Sequence, residues 1–322
     1  MNDAASAPLD HRAFLSSLPA AERAALTLRR DGPGLLRLAA HLGLIALLAW
    51  PVAAQAPLWP LFVPPLGVAM AFLFTLQHEC THQTPFRTLR LNELAGRATG
   101  FLILQPFLWF RHFHLAHHRH TNDPARDPEL QGGAKPETAR ALALHLLGAG
   151  YWAAKLRVLL ANAFGRIEGG YVPARAEGAV RREARWMLAG YAAILLYAAF
   201  VDPWPLRVWL LPLAFGFPVL RLYLLAEHAR CPAAADMFDN TRTTLTNRLV
   251  RLLAWNMPYH AEHHAMPAAP FHALPALHAR ARAHLKRVSP GYRAFAADYA
   301  AGLSRPCVPG PDKGTGAQGG GR

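Results

Sequence analysis

Between Arg37 and Glu79 the chain carries no Asp, Glu, Lys or Arg. An uncharged interval of that length provides for two membrane crossings of about 20 residues each. Pro51, Gln55, Pro57 and Pro60 interrupt its middle, so the pattern predicts a hairpin of helices over about 36–52 and 61–82. Pro64 and Pro65 then fall in the first turn of the second helix, where a missing N–H costs little. A second pair follows: Trp186 to Val201 is apolar, Asp202-Pro203-Trp204-Pro205 turns the chain, and Leu206 to Glu227 returns it. The spans of this pair are predicted over about 186–201 and 206–227, the first being short enough that Arg185 snorkels at its end.

Composition agrees. Hydrophobic residues make up 52% of the 322 residues and charged residues 17%, below the roughly 25% of soluble domains. The net charge of +14 suits either a nucleic-acid binder or a membrane protein with basic cytoplasmic loops. Here the Lys and Arg flank apolar segments, with no zinc-finger spacing and no basic recognition helix, so nucleic acid is set aside. The turns at about 51–60 and 202–207 hold one basic residue, Arg207. The positive-inside rule therefore places both termini in the cytoplasm, as in a multi-pass protein of a bacterial inner membrane. No cleavable signal peptide is visible, because the first apolar run starts near Leu35 and lacks a small-residue cleavage site.

The expected fold is all-α and integral to the membrane, with four spans and a cytoplasmic helical cap. Residues 1–34 form a polar cytoplasmic lead-in, 35–303 the membrane domain, and 304–322 a Pro/Gly-rich disordered tail. Phe101 to Phe110 is too short to span and reads as re-entrant or interfacial. Ala141 to Phe164, interrupted by Lys155 and Arg157, reads as an amphipathic surface helix. Cys80, Cys231 and Cys307 are too few and scattered for a disulfide framework or a Cys zinc site.

The 17 histidines are clustered. His78-Glu-Cys-Thr-His82 ends the second span, His114-Leu-Ala-His117-His118 follows it, and His260-Ala-Glu-His263-His264 lies beyond the fourth span. Residues at i, i+3 and i+4 share a helix face, so each cluster aims two or three imidazoles one way. At this histidine content a lone H-x-x-x-H arises about once by chance, whereas H-x-x-H-H arises roughly 0.05 times. Two copies of the latter are therefore strong evidence of a site. With four spans, all three clusters fall on one side of the membrane and can converge. Zinc rarely needs more than four ligands; eight or more imidazoles suggest two metals, and imidazole suits iron. Glu79 and Glu262 lie at other helical angles and read as partners that orient imidazole N–H groups rather than as ligands. His112, His120 and Asp127, beside the second cluster, are further candidates for that supporting role.

The order H-x-x-x-H, H-x-x-H-H, H-x-x-H-H, with two spans before the first and two before the third, resembles the membrane fatty acid desaturase superfamily. Arg111-His-Phe-His114, Asn256-Met-Pro-Tyr-His260, Pro267, Pro270 and Leu274-Pro275 strengthen the resemblance, which runs from about Leu35 to His284. It implies one more ligand near the end of the last span, where His228 stands. The implied ligand set is thus His78, His82, His114, His117, His118, His228, His260, His263 and His264. It further implies two iron ions, dioxygen as co-substrate, and desaturation of a fatty acyl chain held in a membrane-facing tunnel. A hydroxylase or carotenoid ketolase shares the same scaffold. Electrons are expected from a separate ferredoxin, rubredoxin or b-type cytochrome, since no C-x-x-C module is seen; charge complementarity would bring such a donor to the basic face.

A rival of another class is a membrane metal-binding or transport protein, but transport would place ligands near the bilayer midplane. Arg221, two turns before His228, reads either as a substrate-cavity residue or as a snorkelling one. Asp127-Pro-Glu129 and Asn240-Thr-Arg242-Thr-Thr either meet a head group or electron donor or are solvated, capped loops. His272 and His278 read as structural or surface residues. His11, His145 and His284 carry no predicted role, and His41 reads as a satisfied neutral histidine inside the first span.

Overall fold

A computed structural model describes residues 7–133, 135–167 and 169–303. The predicted tail, with Cys307, lies outside the described residues. Seventeen α-helices account for most of the described chain, and the only strands among the described residues are β1 (Thr243–Thr244) and β2 (Val288–Ser289), a short parallel pair.

Helices α1 (His11–Ser17) and α2 (Ala20–Leu26) precede α3 (Asp31–Ala53). The lead-in is thus structured where its apolar residues allow: Phe14, Leu18 and Leu26 are buried, and His11 Nδ1 lies 3.1 Å from Asp236. A 3-10 turn, Trp59–Phe62, leads into α4 (Val63–Ala71) and α5 (Leu73–Thr81), with proline in the first turn of α4 as the sequence suggested. The second apolar helix therefore breaks at Phe72, whose carbonyl accepts a hydrogen bond from Thr75 Oγ1 at 2.8 Å.

Next come α6 (Leu89–Leu102), α7 (Phe107–His120), α8 (Pro128–Gln131), α9 (Ala139–Leu147) and α10 (Ala149–Phe164). The segment 101–110 is the join of α6 and α7, not a separate re-entrant piece. The expected single helix over 141–164 is two, broken at Gly148, whose φ of +73° favours glycine.

Helix α11 (Ala174–Phe200) begins well before the apolar stretch anticipated from Trp186. Its polar first half is functional packing: Glu183 accepts the Leu108 N–H at 2.7 Å and Arg97 Nε at 3.2 Å, holding the start of α7. Arg185 donates to the Ala163 carbonyl of α10 at 2.9 Å rather than reaching for an interface. A π-turn, Leu206–Leu210, then opens α12 (Leu211–His228). The chain ends with α13 (Met237–Asn240), α14 (Arg248–Leu253), α15 (His260–Ala265), α16 (Leu274–Ala281) and α17 (Tyr292–Gly302).

Among the described residues three stretches are long and apolar enough to cross a membrane: Ala20–Ala53, Trp59–Thr81 and Leu206–His228. Two of them touch backbone to backbone. A Cβ at Gly67 would collide with the Pro212 carbonyl, and one at Gly216 with the Gly67 carbonyl, the close approach that small residues allow between apolar helices. This contact sets α4–α5 and α12 side by side, so His78 and His228 emerge at the same end. His41, inside α3, is fully buried; it accepts Trp255 Nε1 at Nδ1 (3.2 Å), which leaves Nε2 to donate to the Ala69 carbonyl (2.8 Å).

Candidate metal centre

The three histidine clusters converge. Helix α5 brings His78 and His82, α7 brings His114, His117 and His118, α12 ends on His228, and α15 supplies His260, His263 and His264. Two groups result: His78, His82, His114, His118 and His263 place one ring nitrogen each within 4.8 Å of one another, and His117, His228 and His264 do likewise. His260 adjoins the second group, its Nε2 lying 3.1 Å from both His228 Nε2 and His264 Nε2. The groups are neighbours, since His118 and His264 stack at 4.0 Å.

Several ring nitrogens here have no partner within the protein. His78 Nε2, His118 Nδ1 and Nε2, and both nitrogens of His263 are buried without a hydrogen bond among the described residues, which ordinarily costs free energy. Elsewhere Nε2 faces Nε2, as for His82 and His114 at 2.9 Å. Two neutral imidazoles meeting lone pair to lone pair repel unless a proton or cation lies between them. Burial, and then the neighbouring imidazoles, hold His114, His118, His260, His263 and His264 well below the usual histidine range, so these rings are neutral, the form that ligates a metal. The donor set fits metal ions, and eight to nine imidazoles in two groups exceed one four-coordinate zinc site.

The outer nitrogens of five rings lie within 4 Å of acceptors on five separate elements. Asp127 holds His117 Nδ1 between its two oxygens at 2.9 and 3.0 Å, and also accepts the Asn122 N–H at 2.8 Å. Burial alone would lower the His117 pKa, but Glu129 and Asp127 outweigh it and raise it; His117 in turn keeps Asp127 below the usual carboxylate value despite burial. Glu79, fully buried and anchored by Thr84 Oγ1 (2.8 Å) and the Phe271 N–H (3.2 Å), sits 3.8 Å from His263 Nδ1. Glu227 lies 3.5 Å from His260 Nδ1, Thr121 Oγ1 3.1 Å from His264 Nδ1, and the Asn240 carbonyl 3.4 Å from His228 Nδ1.

Some expected partners stand elsewhere. Glu262 does not orient a cluster imidazole; it accepts Thr243 Oγ1 at 2.5 Å and pairs closely with His278. His278, expected as merely structural or surface, is therefore the partner of a buried carboxylate, and it stacks on Tyr259 at 4.6 Å. His112 and His120 are half-buried, and among the described residues neither bonds to a cluster ring; on α7 they point off the face that carries His114, His117 and His118. Asn240, Thr241, Thr243 and Thr244 are buried beneath the histidines, which rules out a solvated loop. Glu227, Thr121 and Glu183 went unnoticed in the sequence because their partners are distant in it.

A cavity of about 1050 Å³ reaches His78, His114, His117 and His260. Phe74, Trp109, Phe110 and Phe113 form its apolar wall near the histidines, with Phe110 stacked on His114 at 5.5 Å. Arg221 and His145 lie on the same cavity; Arg221 is tied to His145 instead of extending to solvent.

Helices of membrane-crossing length, a buried polyhistidine centre and an adjoining largely apolar cavity define a helical membrane protein built around a candidate metal site. The chain belongs to the fatty acid desaturase family, whose sequence pattern it matches over residues 54–296. It is similar to an sn-1 oleoyl-lipid 12-desaturase of Picosynechococcus sp. (29% identical over 153 residues, 45% of this chain and 43% of the relative). Shorter similarities connect it to a fatty acid desaturase of Bacillus subtilis (41% over 54 residues, 16% of this chain and 15% of the relative) and an endoplasmic-reticulum omega-3 fatty acid desaturase of Vigna radiata (33% over 69 residues, 21% and 18%). The chain thus spans less than half the length of these curated relatives.

Proposed function

We propose that the chain is a di-iron, dioxygen-dependent oxidoreductase that introduces a carbon–carbon double bond into an unactivated acyl chain. The observation that carries this reading is the meeting of two imidazole groups at one end of a largely apolar cavity. His78, His82, His114, His118 and His263 would hold one iron and His117, His228 and His264 the other, with His260 beside the second. A bound iron pair supplies the oxidation of C–H bonds by dioxygen; the chain's residues supply the placement. Asp127 and Thr121 fix the outer nitrogens of His117 and His264, and Glu79 and Glu227 stand beside those of His263 and His260, so that these rings present their inner nitrogens with little reorganisation. Phe74, Phe110 and Trp109 shield the reacting carbon from water and align an alkyl segment along the cavity.

In this reading four helices cross the membrane: the three apolar ones and the second half of α11. Both ends and the nine clustered histidines then share the basic, cytoplasmic side, where a separate acidic electron donor such as a ferredoxin, rubredoxin or b-type cytochrome docks. The test is expression in a host lacking unsaturated acyl chains, followed by lipid analysis. New double bonds, absent with His118→Ala, support the proposal; an alcohol or ketone product moves it to hydroxylation, and unchanged lipids with iron-loaded protein and a donor present overturn it.

A further inference from the structure

The far part of the cavity has a different character from the part near the histidines. Arg221 Nε donates to the His145 carbonyl at 2.5 Å, and its other terminal nitrogen meets His145 Nδ1 at 2.7 Å. Lys155 bonds Gln105 Oε1. Both cations sit 4.6 Å from the centre of the same ring, Tyr151, so one aromatic ring serves both. Among the described residues neither forms an ion pair with a carboxylate, and their protein partners are neutral. The cavity's carboxylates lie at its other end, Glu227 3.5 Å from His260 and Glu129 4.0 Å from His117.

Two adjacent half-buried cations without a counter-charge are unfavourable, the more so because Arg221 stands about 10 Å along α12 from His228, inside an apolar helix. Burial and then Arg221 push the Lys155 ammonium well below its usual range, and an anion alongside would offset that push. Burial, then Arg221, hold His145 at about 4, so at neutral pH it adds no charge.

We propose that Arg221 and Lys155, with Gln105 and Tyr151, form a subsite for the oxyanion head of an alkyl amphiphile, a carboxylate or a phosphate ester. With the head at Arg221 and Lys155, away from the end where Glu129 stands beside His117, the hydrocarbon runs past Trp109 and Phe110 to the metal centre. The substrate class named here rests on the desaturase reading, but anion capture is a binding property measured without turnover.

The test is equilibrium binding to the full chain in neutral detergent, comparing palmitate, its methyl ester and hexadecyl phosphate. Palmitate or hexadecyl phosphate should bind roughly tenfold or more tightly than the ester, and whichever binds better identifies the source of the oxyanion. R221Q and K155Q should each shrink that ratio several-fold, while K155R keeps it. Equal binding of acids and ester to the unaltered protein overturns the subsite, as does a ratio unchanged in the R221Q/K155Q double variant. The first of these needs no variant to fold. An iron-loaded, desaturating protein with no oxyanion preference would remove the subsite alone; a preference in a protein that binds no iron pair would keep it and remove the reaction.

Discussion

Asp127→Asn isolates one link in the account, the orientation of a single imidazole. The carboxylate is 1% exposed and serves four contacts: two to His117 Nδ1, and one each from the Asn122 N–H (2.8 Å) and the Glu129 N–H (2.9 Å). An asparagine keeps one acceptor oxygen and turns an NH2 towards the other donors. It can still cap α8, because asparagine caps as well as aspartate. What is lost is a charge-assisted bond to His117, worth about 1.5–3 kcal/mol, and such outer partners typically affect metal affinity by about 10–100-fold. The assay is iron retention against a graded chelator, with helical dichroism and melting recorded on the same sample. Expected is iron release at about tenfold or more lower chelator, with helical dichroism unchanged and the melting point of the metal-free protein lowered by no more than the lost bond accounts for. Iron retention equal to the parent would refute the claim that Asp127 holds His117 for a metal.

Three further outcomes are expected. Glu262→Gln weakens the bonds to Thr243 and His278, so it should lower the melting point by an amount corresponding to about 1–3 kcal/mol while leaving iron retention unchanged; lost iron with an unchanged melting point would contradict this. Gly67→Val places a branched side chain against the Pro212 backbone, so melting should fall and His228 should shift, read as weaker iron binding; a neutral result would mean α4 and α12 are not in contact there. Metal-free protein should lose stability as pH falls below about 6.5, by up to about 1.4 kcal/mol per pH unit for each such histidine. The sign follows because His114, His118, His260, His263 and His264 have depressed pKa values when folded, so the unfolded chain takes up protons first. Melting in detergent from neutral to mildly acidic pH measures this, and a flat profile would contradict it.

The histidine boxes were legible because their information is local: spacing of i, i+3 and i+4 aims rings together whatever the tertiary packing. Apolar stretches long enough to span were legible for the same reason. His228 is a lone histidine with no spacing signal, and only the family resemblance pointed to it. Glu183, Thr121 and Glu227 were not legible, and Asn240 stood out only as part of a polar segment, since each acquires its role from a residue on another element. Glu262 shows the converse failure. Its place inside the third box suggested a partner for a box imidazole, but α15 turns it outwards to Thr243 and His278. The break at Gly148 was visible as a glycine in a long helical stretch, yet nothing local revealed that the chain adopts a positive φ there.

Whether the converged imidazoles hold two irons, as proposed, decides the reading of the site. The most direct measurement is metal content of the detergent-purified full chain grown on iron-57, with Mössbauer spectra of the same material. Close to two irons per chain in one magnetically coupled pair is the expected result. A single zinc, or well-folded protein that takes up no metal when iron is supplied, would contradict the account.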